Sequence, residues 1–181
     1  MKIFSDEYWM NIALEEAQIA FQEDEIPVGA VLVRNNELIA NAHNSTQKLS
    51  NSLAHAEKLV IELAQQKLGK WLYDCRLYVT LEPCPMCAGA IILSRIKSVI
   101  FGAYDEKNGA CGSLYNLLLD RRFNHNPEIK SEVLAKESSE LLKRFFNEKR
   151  IILPQRFILR PDYIGTTPIR RNTMEGGENG H

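Results

Sequence analysis

The residues best able to do chemistry in this chain are His55-Ala56-Glu57 and, further along, Pro83-Cys84-Pro85-Met86-Cys87. One imidazole and two thiolates form a donor set that zinc takes readily. Three protein ligands leave a fourth position open, which marks a hydrolytic site rather than a structural one. If each cluster opens a helix, the cysteines stand one turn apart and converge with His55 on one ion, while positive helix ends favour their thiolate forms. Glu57 is close enough to His55 to face the open position without filling it. Taken singly, His55 is an ordinary polar helix start and the cysteine pair core or redox thiols. Together they point to Zn2+ held by His55, Cys84 and Cys87. The other cysteines, Cys75 and Cys111, stand apart and read as buried free thiols. His43 and His125 read as hydrogen-bonded loop residues.

Those clusters need a scaffold, and the apolar pattern supplies one. Met10, Ala13, Leu14, Ala17 and Phe21 recur at helical spacing, predicting an amphipathic helix from Asp6 to Glu23. Ala30 to Val33 and Leu38 to Ala40 read as strands joined by a tight turn at Asn35-Asn36. A helix is expected from Ala54 to Gln66, ending near Gly69, then a strand from Arg76 to Thr80. Pro85 suits the first turn of a helix that runs to Ser94. Lys97 to Ala103 reads as a buried strand, and Ser113 is placed to cap a short helix to Leu119. A fifth strand is expected from Glu128 to Val133. The long connection before it allows a parallel pairing, with a helix laid across one sheet face. A last helix spans Lys136 to Arg150. Strands alternating with helices indicate one α/β domain with helices on both faces of a mixed sheet.

Composition sets the outer limits. With 181 residues, 45% of them hydrophobic and 25% charged, the chain matches an ordinary globular domain and excludes fibrous and disulfide-dense classes. Its apolar runs are far shorter than the roughly 18 residues of a membrane span. The start lacks a signal peptide's apolar run, so the expected location is cytoplasmic, where cysteines stay reduced. A net charge of −1 hides an asymmetry. Up to Ala30, seven acidic residues face Lys2 alone; from Lys143 onward, eight lysines and arginines face four acidic residues. A basic C-terminal segment is either an anion or nucleic-acid footprint or a solvated helix face.

Several longer stretches carry a resemblance. They are Pro27-Val28-Gly29-Ala30-Val31, Ala54-His55-Ala56-Glu57, Val79 to Ala90, Ser94-Arg95-Ile96, Phe101 to Asp105 and Gly109 to Ser113. With H-x-E…P-C-x-x-C among them, the chain resembles the bacterial tRNA-specific adenosine deaminases of the cytidine-deaminase-like superfamily. The zinc motif alone specifies only the superfamily; the later stretches narrow it to the tRNA branch. The likeness runs from about Asp6 to Arg150. It implies a three-layer α/β/α fold with a central mixed five-stranded sheet, one catalytic zinc, and a homodimer with its sites near the subunit interface. Residues 1–150 form the deaminase domain and 151–181 a C-terminal extension to which no role carries over.

The implied reaction is hydrolytic deamination of adenosine to inosine at the wobble position of a tRNA anticodon. Zinc makes hydroxide available near neutral pH, and Glu57 shuttles the protons. The base must leave its stack to react. The resemblance puts Asn44 on the flipped nucleoside, Asp105 on an adjoining sugar, and Phe145, Phe146, Lys149 and Arg150 against the anticodon stem-loop by stacking and phosphate contact. The residues themselves leave turn stabilisation open for Asn44 and Asp105, and a core role for one of the adjacent phenylalanines. Two other readings remain: a deaminase of a free base, nucleoside or nucleotide, and a non-enzymatic zinc-stabilised RNA-binding module.

Overall fold

The computed structural model describes residues 3–152, so the remainder of the expected extension lies outside the described residues. Helix α1 (Asp6–Gln22) is capped by Ser5, whose hydroxyl accepts the Tyr8 N–H, with Asp6 and Glu7 adding negative charge at the positive helix end. Strands β1 (Gly29–Arg34) and β2 (Glu37–His43) form the expected hairpin. Asn35 and Asn36 both take positive φ, 50° and 62°, as a turn matched to strand twist requires. Helix α2 (Ala56–Leu68), β3 (Cys75–Leu81), α3 (Pro85–Ser94), β4 (Ser98–Ala103), β5 (Glu128–Lys130) and α4 (Ala135–Ile152) follow.

The strands lie in the order β2-β1-β3-β4-β5, with β1 antiparallel to β2 and β3, and β4 parallel to β3 and β5. Side chains alternate across a strand, so each strand feeds two cores. Ala30, Leu32, Leu77, Val79, Val99 and Phe101 pack with α2 and α3, whereas Val31, Val33, Tyr78 and Ile100 pack with Trp9, Met10 and Ala13 of α1. Helix α4 joins α1 on that second face, completing three α/β/α layers. At Gly29 a Cβ would overlap the Ala13 carbonyl and the Ala17 nitrogen, so only glycine lets α1 cross β1 this closely. Among the described residues, no helix is long and apolar enough to cross a membrane.

Three expectations fail from the end of β4 to the end of β5. No helix follows Ser113: its backbone N–H and its hydroxyl both donate to the Glu82 carboxylate, which holds the segment in an irregular turn. The parallel pairing holds, but the crossover is irregular chain rather than a helix across the sheet. Strand β5 stops at Lys130 instead of Val133, since Glu132 and Leu134 take φ of 67° and 53° and leave the extended region.

The register decides where chemistry is possible. Gly29 pairs with His43, Ala30 with Val79, and Leu81 with Ala103. The segment entering β1 and the segments leaving β2, β3 and β4 therefore all open at one end of the sheet.

Candidate active site

His55 is the N-cap of α2 and Cys84 the N-cap of α3, and neither spends its side chain on capping. N-cap positions ordinarily go to Ser, Thr, Asp or Asn, whose oxygens satisfy the first helical N–H groups. Here that stabilisation is given up and both side chains turn toward each other. Their geometry is a cup: His55 Nδ1 lies 3.6 Å from Cys84 Sγ and 3.6 Å from Cys87 Sγ, and all three donor atoms lie within 4.8 Å of one another. A tetrahedral zinc with ordinary bond lengths separates its nitrogen and sulfur ligands by about 3.6 Å, so the residues fit that ion.

Electrostatics prepare one of the donors, Cys84. Hydrogen bonding from Cys87, against the opposing pull of burial and assisted by His55, draws the Cys84 thiol down to about 4. The bond to Cys84 raises His55, and Cys87 is pushed far up by Cys84 and by burial. Thiolate character thus concentrates on Cys84, which sits at the positive end of α3. Glu57, one residue into α2, is only 4% exposed. Burial, reinforced by the neighbouring Cys84 charge, lifts its carboxyl to about 7. A carboxyl balanced there takes and returns a proton near neutrality.

The remaining expected residues separate. Asn44 is buried at the exit of β2, its N–H donating to the Val28 carbonyl at 2.9 Å. Asp105 leaves β4 at the same sheet end, and its Oδ1 accepts the Lys107 and Asn108 N–H groups at 3.0 and 3.1 Å, the turn-stabilising arrangement. On α4, Phe145 is core rather than a stacking platform: it is buried edge-on against Phe21 with ring centroids 5.6 Å apart. Phe146 and Arg150 are exposed, and Lys149 pairs with Asp24. Cys75 and Cys111 are buried free thiols, as expected. His125 bonds the Ile96 carbonyl at 2.7 Å from a loop, but His43 ends β2 and is held by Glu16 at 2.7 Å.

Glu82 and Glu25, both buried, escaped the sequence reading. Glu82 accepts the Asp105 N–H at 3.0 Å and the Cys111 N–H at 2.8 Å, as well as both donors of Ser113. It thereby ties the loop after β4 to the Pro83-Cys84 turn. Glu25 does the same for the loop after β2. The acidic stretch Glu23-Asp24-Glu25 gives no local sign of which member is buried.

A three-layer α/β/α sheet with a His/Cys/Cys cup and a buried glutamate at two helix N-termini defines the class of hydrolytic nucleobase deaminases. The chain belongs to the MafB19-like deaminase family, which it matches over residues 4–150. It is 53% identical over 146 residues to the tRNA-specific adenosine deaminase of Bacillus subtilis (strain 168), covering 80% of this chain and 91% of that one. A solved structure from work on A-to-I editing by wobble-position tRNA deaminases superimposes with a TM-score of 0.72 at 43% identity, covering 75% of this chain and 99% of that one. A guanine deaminase from Nitrosomonas europaea is more distant, at 25% identity and a TM-score of 0.70 over 80% of this chain and 86% of its own.

Proposed function

We propose that this protein deaminates adenosine to inosine at the wobble position of a tRNA anticodon. The observation that carries the reading is the His55, Cys84 and Cys87 cup with buried Glu57 beside it, in a chain so similar to tRNA-specific adenosine deaminases. Zinc bound in the cup would supply the Lewis acidity that makes water a nucleophile near neutral pH.

Glu57 does the proton work. It takes one proton as water adds at adenine C6 and delivers it to N1, then takes the remaining proton of the added hydroxyl and delivers it to the amino group as the C6–N bond breaks. Adenosine and water become inosine and ammonia, and the carboxyl returns to its starting state. Burial of Glu57 keeps that proton from bulk solvent until a base covers the site.

Substrate recognition is assigned to the loops at this sheet end. Asn44 contacts the flipped nucleoside and Asp105 an adjoining sugar. Phe146 and Arg150 offer a ring and a cation to the anticodon stem-loop, and Lys149 joins them by exchanging Asp24 for phosphate. Residues 1–150 constitute the deaminase domain, acting in the cytoplasm. A second copy of the chain covers α3, where Met86, Ala90 and Leu93 follow helical spacing and Leu93 is 76% exposed. Both cysteine ligands lie on this helix or its cap, so the interface borders the site.

Mapping inosine in cellular RNA before and after depletion tests the reaction: inosine at position 34 of a tRNA should disappear. The fold also serves guanine deamination in the Nitrosomonas europaea protein. Turnover of free bases or nucleosides at the rate seen with an anticodon stem-loop would favour that reading instead.

A further inference from the structure

Glu25 is fully buried, yet it lies outside the His55, Cys84 and Cys87 cluster and takes no part in the proton transfers described above. Burying a carboxyl group is costly unless donors replace its water. Four donors do so here. One oxygen accepts the Gln47 N–H at 2.7 Å and the Lys48 N–H at 2.8 Å; the other accepts the Thr46 hydroxyl at 3.0 Å and the Asn44 side-chain amide at 3.3 Å. The Asn44 backbone is fixed separately, by its own bond to Val28 and by the Ser45 N–H bond to the Ala54 carbonyl at 3.0 Å, next to His55. What Glu25 adds at Asn44 is therefore control of the side chain.

We infer that Glu25 is a positioning residue for substrate recognition, holding the Asn44 amide in the orientation that meets the flipped nucleoside. This rests on the reading of Asn44 as a substrate contact. A carboxylate suits the task because both of its ends accept hydrogen bonds. Either rotamer of a glutamine would place an NH2 group against two donors, releasing Asn44 or the 47–48 backbone. A side chain locked before substrate arrives avoids the ordering cost at each turnover, and small misplacements at such a contact are expensive in rate.

The test is a double-mutant cycle on kcat/KM with an anticodon stem-loop, with zinc content and Tm measured for every variant. Glu25→Gln should retain zinc and lose about tenfold in kcat/KM, the equivalent of about 1.4 kcal/mol. In an Asn44→Ala background the same substitution should cost less than about twofold, because its target is gone. In an Asp105→Ala background the full loss should persist. Equal losses in all three backgrounds would show that Glu25 merely holds the fold, and a neutral Glu25→Gln would end the proposal outright. If Asn44→Ala is itself neutral, the substrate-contact reading fails and takes this inference with it. Should Glu25→Gln not fold, Glu25→Asp keeps both acceptor oxygens but withdraws them by one methylene, and the same cycle is read on it.

Discussion

Glu57 combines two properties that a surface carboxylate cannot: it is shielded from water, and its proton affinity is lifted by that shielding to about 7. Glutamine has nearly the same shape but no proton to exchange. Glu57→Gln should therefore keep its metal and much of its RNA affinity while single-turnover deamination falls by about 100- to 10,000-fold, the usual worth of general acid/base assistance. Turnover within a few-fold of wild type, with metal intact, would remove Glu57 from the proton path. The ligand assignment is checked separately. Replacing Cys84 and Cys87 together with serine should reduce zinc to background in elemental analysis, because a hydroxyl stays protonated where a thiolate would bind.

At the scale of elements, the first turn of α1 is anchored to the far edge of the sheet through Asp6. Its Oδ1 accepts from Arg76 at 2.6 Å and from the Tyr78 hydroxyl at 2.9 Å, while Oδ2 accepts from Lys130 at 2.7 Å. One side chain thus joins a helix to β3 and β5. Partial burial pulls the Asp6 carboxyl upward, but the bonds from Lys130 and Tyr78 and the charge of Arg76 outweigh it and hold the group below its ordinary 3.8. The folded state thus binds this proton more weakly than the unfolded chain does. Its stabilisation is complete above the ordinary value and is lost as pH falls through the lower folded one. Asp6→Asn should destabilise the protein by on the order of 1 kcal/mol at neutral pH, since its cationic partners are largely solvated. The deficit relative to wild type should shrink below about pH 4, as read from denaturant midpoints across a pH series.

For the whole molecule, the relevant surfaces are the exposed face of α3 and the basic end of α4. If the chain forms the dimer proposed above, Leu93→Glu should convert it to a monomer in sedimentation or light scattering, because a charge replaces a leucine that the described residues leave 76% exposed. A single-chain mass for the wild type would end the dimer reading, and a dimer mass unchanged by the substitution would remove α3 from the contact. On α4, Lys149→Ala combined with Arg150→Ala should weaken stem-loop binding more at low salt than at high salt and reduce the slope against log salt by about 1. Lys149 already has a partner in Asp24, so part of its gain on binding phosphate is cancelled. Parallel salt lines of equal affinity would take both residues out of the RNA-contacting surface.

By itself the sequence determined what local chemistry can determine. Cys84 and Cys87 stand three residues apart, one turn once Pro85 opens a helix, and His55 with Glu57 carries its meaning within three residues. Asn35-Asn36 specifies a hairpin because both residues tolerate positive φ. Only the tertiary structure decided which polar groups lose water and to whom they turn. Glu25 and Asp24 are neighbours in an acidic run, yet one is sealed beneath the 44–48 loop and the other pairs with a lysine on α4. Phe145 and Phe146 are adjacent and identical, and the packing of α4 on α1 buries one while exposing the other. Ser113 looks like a helix cap, but Glu82, far away in sequence, accepts from both of its donors and holds the segment in an irregular turn. Each of these outcomes depends on register between segments tens of residues apart, and the energy that fixes that register is spread over the two cores rather than written at the residues it positions.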